Sequence, residues 1–271
     1  LTHKADHADA FCNLGLTEMI APGLNAAIRT LSKAMKASPD QHMARFYHAV
    51  ASEMIGAETD SLFKALPNDD ATVDAWLDSW TYVKSHSTLK TEIIHDPFRL
   101  LAFALEAATL PGLVLEFGVR RGLSIRHIAA GAGQPVHGFD SFEGLPSAWG
   151  SEPEGVYSTD GALPEVPENV TLHKGLFKET LQPFLEKHPG DIRFCNIDCD
   201  IYGSTVTVLD AIAPRIRPGS VLVFDEYLIN PTWREDEHLA FQQVVKKYRW
   251  KYRYLAFGIV TKQACVMIEA V

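Results

Sequence analysis

Acidic residues follow two of the apolar segments of this 271-residue chain. Asp198 and Asp200 end the segment "IRFCNIDCD", and Asp225 and Glu226 come near the end of "GSVLVFDEY". Runs rich in Val, Ile, Leu and Phe are typical of strands that are buried on both faces of a parallel sheet. Ligands of open α/β sheets bind outside the carboxyl ends of the strands. We therefore expect these acids to lie at the edge of a ligand cleft.

The crowding of these acids has two alternative explanations. Neighbouring carboxylates repel one another unless a cation or a proton offsets their charge. Their hard oxygen atoms suit Mg²⁺ or a similar divalent ion, which keeps several waters and leaves room for a substrate hydroxyl. Alternatively, the acids cap helices or accept hydrogen bonds from loop amides. We expect Asp200 to orient the turn "YGST" that begins the next helix.

A glycine-containing turn in "LEFGVRRGLSIRHIAA" joins a predicted strand to a predicted helix, which lets a cofactor approach the backbone. A dinucleotide fingerprint needs a glycine where Arg120 stands, so an NAD-dependent oxidoreductase is the disfavoured alternative. An S-adenosylmethionine (SAM) site instead needs an acid after the second strand to accept the ribose hydroxyls. Glu116, Gly118 and Gly122 supply the turn, and Asp140 supplies the acid 24 residues after Glu116.

The hydrophobic pattern changes between residues 1–108 and residues 109–271. The first part carries amphipathic helices, as in "GLNAAIRTLSKAMKA", where Leu24, Ile28 and Leu31 recur with the helical period. The second part alternates short apolar strands with helices, which predicts a mostly parallel, Rossmann-like α/β sheet. Its last two strands, "WKYRYLAFG" and "QACVMIEAV", are close enough in sequence to form an antiparallel hairpin at one edge.

Four segments, which partly overlap those above, occur in order between residues 113 and 227: "LEFGVRRG", "FDSFEGLP", "NIDCDIYGST" and "VFDEY". In order and spacing they resemble the macrocin O-methyltransferase family, whose members methylate hydroxyls on antibiotic sugars and related small molecules. The resemblance implies a class I SAM-dependent methyltransferase fold, with SAM as methyl donor and a small hydroxylated molecule as acceptor. It also implies a SAM site that is lined by Glu116, Gly118, Gly122, Asp140, Ser141, Gly175, Leu176 and Phe177.

The same resemblance implies roles for the acids. Members of this family, like catechol O-methyltransferases, bind a divalent metal through the acids that follow the fourth and fifth strands. By this resemblance the metal ligands here are Asp198, Asp225 and Glu226. Methyl transfer to an alcohol requires that the hydroxyl be positioned and its proton removed. We expect Asp198 to be the general base, and His238 is the alternative base. A SAM-binding protein without catalysis is the remaining alternative function.

Composition restricts the partners and the compartment. A formal net charge of −9 argues against a sequence-independent hold on nucleic-acid phosphates. The four cysteines are too few and too irregularly spaced for a disulfide framework, which favours a reducing cytoplasm. No apolar run approaches the ~20 residues of a membrane span, so we expect no membrane partner.

The helices of residues 1–108 carry more apolar surface than one side of a sheet needs to cover. We therefore expect a homo-oligomer with these helices in its interface. We also expect the helical region to act as a lid over the cleft and to select the acceptor.

Overall fold

The amino-terminal part of the chain is helical, as predicted. The computed structural model describes residues 2–271, and the side chains from residue 7 onward. The first helices are α1 (Thr2–Ile20), α2 (Leu24–Ala37), α3 (His42–Met54), α4 (Asp60–Lys64) and α5 (Ala71–His86). Helices α1 and α2 cross closely because Gly15 has no side chain, and a Cβ atom there would lie 2.6 Å from Leu31 Cγ. None of the described helices is both long and apolar enough to cross a bilayer.

Helix α5 begins at a capped end and buries its tryptophans. The carboxylate of Asp70 accepts hydrogen bonds from the backbone N–H groups of Thr72 (2.8 Å) and Val73 (3.3 Å), which would otherwise have no partner in the first turn. Trp76 and Trp80 both lie in the core. Their helical spacing therefore reflects packing.

A mixed sheet of eight strands forms the centre of the fold. The strands are β1 (Glu92–Ile93), β2 (Leu113–Phe117), β3 (Val136–Asp140), β4 (Val170–Lys174), β5 (Ile192–Ile197), β6 (Val221–Phe224), β7 (Lys251–Phe257) and β8 (Ala264–Ala270). Their order is β1-β7-β8-β6-β5-β2-β3-β4. Strand β8 pairs antiparallel with both β6 and β7, and the other pairs are parallel. The predicted parallel sheet with a terminal antiparallel hairpin is confirmed.

Helices cover both faces of this sheet. They are α6 (Pro97–Ala107), α7 (Leu123–Ala132), α8 (Phe177–Lys187), α9 (Tyr202–Ile212) and α10 (Glu237–Tyr248). Helices α6 and α7 pack against one face of the sheet. Helices α8, α9 and α10 pack against the other face, in a hydrophobic core that also includes residues of α2, α3 and α5. Because α6 precedes residue 108 and covers the sheet directly, the predicted boundary at residues 108 and 109 does not separate two independent cores. The division at that boundary stays a prediction.

Two local features differ from the sequence prediction. Strand β1 lies within the part that the sequence assigned to helices, and it pairs with β7, so the terminal hairpin does not form the edge of the sheet. A strand of two residues is too short to show an alternating pattern. The connection between β3 and β4 is a loop over residues 141–169 that contains no helix.

A buried aromatic cluster joins α5 to the sheet and to α10. The hydroxyl of Tyr254 on β7 lies 2.6 Å from the hydroxyl of Tyr82 and 2.8 Å from that of Tyr227. His238 on α10 packs edge-on against Tyr82 and Tyr227, and the residue is 8% exposed. Burial, together with the charge of Arg234, lowers the pKa of His238 to about 4. The imidazole is therefore neutral in the folded protein near neutral pH.

The stability of the fold should decrease in acid through His238. Its pKa is near 6.5 in the unfolded chain, so unfolding takes up a proton between about pH 6.5 and pH 4. The free energy of unfolding should fall as the pH is lowered through this window, as measured by urea denaturation. In His238→Phe, which keeps an aromatic ring, this decrease should be smaller. An equal decrease in both proteins would contradict the assignment.

Candidate functional site

A cleft of about 510 Å³ opens at the carboxyl ends of the parallel strands, where the sequence places it. Six of the predicted cofactor residues line it: Gly118, Asp140, Ser141, Gly175, Leu176 and Phe177. The predicted metal ligands Asp198, Asp225 and Glu226 line the same cleft. The predicted cofactor residues Glu116 and Gly122 are not among the lining residues.

The turn after β2 is built on glycines for reasons of close packing. Gly118 has a φ of +91°, and a Cβ atom there would lie 1.9 Å from the carbonyl oxygen of Asp198. Only glycine allows the turn to approach the end of β5 so closely. Gly122, at a φ of +74°, starts α7 and has Pro164 next to it. Its role is to turn the chain into the helix, and its predicted cofactor contact stays a prediction.

Glu116 lies beneath the cleft, with its side chain completely buried. Asn196 Nδ2 donates a hydrogen bond of 2.9 Å to Glu116 Oε1. Burial, together with the nearby charges of Asp225 and Asp140, raises the pKa of Glu116 to about 7. In this position Glu116 supports the strands that carry the cleft residues. Direct contact with a cofactor, as predicted from the sequence, stays a prediction.

Asp140, at the end of β3, holds the glycine turn in place. Its Oδ2 accepts hydrogen bonds from the backbone N–H groups of Val119 (2.8 Å) and Arg120 (2.7 Å), and its Oδ1 accepts one from Phe142 (2.6 Å). Each carboxylate oxygen has about two lone-pair sites, so one site remains on Oδ1. The carboxylate therefore has room for one ribose hydroxyl beside its backbone contacts, where the sequence suggested two.

The acids that follow β5 and β6 are crowded together at one end of the cleft. Burial, followed by the charges of Asp225 and Asp200, raises the pKa of Asp198 well above its ordinary value. Burial and the charge of Glu226 raise the pKa of Asp200 to about 7 and that of Asp225 to about 6. Asp200 also lines the cleft, although the sequence placed it outside the ligand set. Its φ of +57° makes it one of the strained positions around the site.

Side chains from the loop between β7 and β8 offset part of this negative charge. Lys262 Nζ lies 3.0 Å from Glu226 Oε2, and Gln263 Nε2 donates a hydrogen bond of 2.7 Å to Asp225 Oδ1. Asn230 also donates to Glu226. Within residues 7–271, no group of three or more His, Cys, Asp or Glu side chains is arranged to hold a metal ion. In this conformation the predicted set of Asp198, Asp225 and Glu226 does not fit a metal.

A buried acid that the sequence analysis missed connects the two acidic loops. Glu237, the first residue of α10, accepts hydrogen bonds from the backbone N–H groups of Cys199 and Glu226. Burial raises its pKa well above the ordinary value for glutamate. An acid in the first turn of a helix is common in any sequence, so no local pattern distinguishes this one.

The loop over residues 141–169 forms the outer wall of the cleft. Its residues Leu145, Ser147 and Tyr157 line the cleft, and the guanidinium of Arg120 lies 4.6 Å from the centre of the Tyr157 ring. The indole of Trp149 donates a hydrogen bond of 2.9 Å to Asp236 Oδ2, which ties the loop to the start of α10. The predicted alternative base, His238, is not among the residues that line the cleft, since it lies in the aromatic cluster behind it.

This chain is similar in part to proteins that are already known. Residues 115–227 match the family described as "Methyltransferase domain". The chain is 24% identical to the calicheamicin methyltransferase CalS11, with 78% of this chain and 98% of that one covered and a TM-score of 0.51. The O-methyltransferase NovP is 18% identical over 74% of this chain and 100% of its own, with a TM-score of 0.49. Over residues 115–227 the chain is therefore similar to a methyltransferase domain, and its fold is similar to that of CalS11.

A relative from Streptomyces olivaceus covers part of the chain. It is named 8-demethyl-8-(2,3-dimethoxy-alpha-L-rhamnosyl)-tetracenomycin-C 4'-O-methyltransferase and is 27% identical over 169 residues. The match covers 53% of this chain and 60% of the relative. The match to a methyltransferase domain favours the methyltransferase interpretation over the NAD-dependent alternative.

The geometry of Asp140 predicts that it matters for SAM affinity. Asp140→Ala removes the acceptor for three backbone N–H groups and for the predicted ribose hydroxyl, and each charge-assisted hydrogen bond contributes ~1.5–3 kcal/mol. The affinity for SAM, measured by calorimetry, should fall at least tenfold. Glu143→Ala, on the same loop but with an exposed side chain, is the control and should change the affinity less than twofold. Unchanged affinity in folded Asp140→Ala would remove Asp140 from the cofactor site.

Proposed function

We propose that this chain transfers the methyl group of SAM to a hydroxyl of a small molecule, such as a sugar or another natural-product intermediate. The observation that carries the proposal is the contact between Gly118 and the backbone of Asp198, which brings a carboxylate of raised pKa beside the predicted SAM loop. The name of the Streptomyces relative, a 4'-O-methyltransferase of a rhamnosyl tetracenomycin, supports a sugar hydroxyl as acceptor.

The cleft suits SAM in size and in chemistry. Its volume of about 510 Å³ lies within the ~300–1,000 Å³ that is typical of cofactor sites. Leu176 and Phe177 supply apolar surface for an adenine ring, and Asp140 has one free acceptor site for a ribose hydroxyl. Gly203 faces open space, so its missing side chain widens the cleft. We assign SAM to this cleft on these grounds.

The chemistry requires a base at the acidic end of the cleft. SAM supplies an electrophilic methyl group on its sulfonium. An acceptor hydroxyl that binds beside Asp198 gives up its proton to the carboxylate as its oxygen forms the new bond to the methyl carbon and the bond from that carbon to sulfur breaks. The raised pKa makes Asp198 a stronger base than an ordinary aspartate, although the pH must be high enough to ionise it. Asp200 and Asp225 remain close enough to keep that pKa high.

The loop over residues 141–169 is the better candidate for acceptor selection. In the described part of the chain, all residues that line the cleft fall between Gly118 and Glu226, so the side chains of residues 7–108 do not reach it. Tyr157 and Ser147 supply the aromatic and polar groups that recognise a hydroxylated ring. A lid role for residues 1–108, their part in a homo-oligomer and a cytoplasmic location stay predictions.

Replacing the proposed base should strongly reduce turnover without weakening the binding of SAM. Asp198→Asn keeps the shape of the side chain but cannot accept the hydroxyl proton, and general-base catalysis contributes ~10²–10⁴-fold. With methyl α-L-rhamnopyranoside and catechol as acceptor probes, formation of S-adenosylhomocysteine should fall at least 100-fold. In the wild type, kcat/KM should rise with pH through a value well above the ~4 of an ordinary aspartate. If SAM binds but neither probe is methylated by the wild type, the non-catalytic alternative gains support.

Metal removal tests the ion that the sequence suggested. The acids face one cleft and are hard oxygen donors, but Glu226 is held by Lys262 and Asn230, so binding of Mg²⁺ would require these contacts to open. The sequence predicts that EDTA abolishes turnover, that Mg²⁺ restores it and that SAM affinity changes little. Full turnover in EDTA would contradict the prediction that a metal is required. In that case Lys262, Gln263 and bound protons would offset the negative charge of the acids.

A further inference from the structure

Glu237 is a buried acid that holds two loops of the cleft at once. Its side chain is completely inaccessible to solvent. Oε1 accepts a hydrogen bond of 3.1 Å from the backbone N–H of Cys199, and Oε2 accepts one of 3.1 Å from the backbone N–H of Glu226. Cys199 directly follows Asp198, and Glu226 directly follows Asp225. One carboxylate therefore bridges the two loops that carry the acids of the site.

The position of this bridge matters because the strand ladder ends just before it. The last registered pair of β5 and β6 is Ile197 with Phe224, and the backbone N–H of Asp225 then donates a hydrogen bond of 3.0 Å to the Ile197 carbonyl. Beyond this point the two chains leave the sheet as separate loops. Glu237 supplies the next connection between them through a side chain that comes from α10.

Burial of the Glu237 carboxylate is unfavourable unless hydrogen bonds offset its cost, and the two backbone N–H groups provide these hydrogen bonds. The ion pairs among the described side chains include none to Glu237, and Asp200 and Asp225 add like charge nearby. An apolar side chain of similar volume would fill the space without this cost, but it would leave two N–H groups without an acceptor. The start of α10 contributes a partial positive charge that favours an acid at this place.

We propose that Glu237 is a positioning residue for methyl transfer, which fixes the loop of Asp198 relative to the loop of Asp225 through hydrogen bonds to both backbones. The inference rests on the proposed function, since it assigns Glu237 to the same reaction. Glu237 does not line the cleft, so it acts through the acids and does not touch the substrate. SAM binding depends mainly on the ends of β2 and β3 and should be largely independent of it.

A matched control exists at the opposite end of the same two strands. Ser220 is also completely buried, and its Oγ donates a hydrogen bond of 2.6 Å to the Ile192 carbonyl and accepts one of 3.0 Å from the Arg217 N–H. It thus connects β5 and β6 where they begin, away from the cleft. Ser220→Ala should weaken the fold without disturbing the acids.

The test compares Glu237→Gln with Ser220→Ala in the full chain. The glutamine side chain has nearly the same shape but only one oxygen, so it can keep one of the two bridges. Hydrogen exchange of at least one of the two amides, Cys199 or Glu226, should be at least tenfold faster in Glu237→Gln, and both amides should be unchanged in Ser220→Ala. With methyl α-L-rhamnopyranoside and catechol as probes, kcat should fall at least tenfold in Glu237→Gln while the Kd for SAM changes less than twofold. Ser220→Ala should keep kcat within twofold below its Tm.

The outcomes separate this inference from the proposed function. Unchanged amide exchange in Glu237→Gln would overturn it, and so would faster exchange with an unchanged kcat. If the wild type methylates neither probe, this result counts against the proposed function. The exchange measurement would still decide whether Glu237 bridges the loops. If Glu237→Gln does not fold, Glu237→Asp, which keeps a shorter carboxylate, replaces it. Failure of both variants to fold would show that Glu237 is needed for the fold itself and would overturn a specific positioning role.

Discussion

The site depends on keeping several carboxylates buried beside one another at the carboxyl ends of the parallel strands. Glu116 and Glu237 have no solvent exposure, and burial raises the pKa of each, as it does for Asp198 and Asp225. Such a cluster is stable only if its charge is reduced or paired. Backbone N–H groups, side-chain amides and bound protons do this here, together with the ammonium of Lys262. Burial, followed by repulsion between the acids, raises the pKa of Asp198 and so makes it a stronger base, which couples stability to the proposed chemistry.

The outline of this arrangement could be predicted from the sequence because it depends on local patterns. The apolar run before Asp225 predicts a buried strand, and the parallel order of the strands places Asp198 at the same edge. Glu237 and Lys262 could not be predicted in this way, since they come from a later helix and a hairpin loop and reach the acids only through tertiary contacts. The cofactor role of Glu116 stays a prediction, but its complete burial could not be foreseen, because a strand buried on both faces has no alternating pattern.

The outer wall of the cleft shows a second limit of sequence patterns. The loop over residues 141–169 has no helical or strand period, so the positions of Tyr157 and Trp149 could not be predicted. In the fold, Trp149 ties this loop to Asp236, and Asp236 directly precedes Glu237. The start of α10 thus contacts the outer wall and both acidic loops. If the proposed function is correct, the acceptor contacts and the positions of the acids both depend on this one helix end.

The most direct test of this account is a carbon-13 NMR titration of the side-chain carboxyl groups in protein freed of metal by EDTA. The account predicts that Asp225 titrates at about pH 6 and that Asp200 and Glu116 titrate at about pH 7. Asp198 should titrate well above the ~4 of an ordinary aspartate. Titration of all four groups near pH 4 in the folded protein would contradict the account, because the acids would then be solvated and independent of one another.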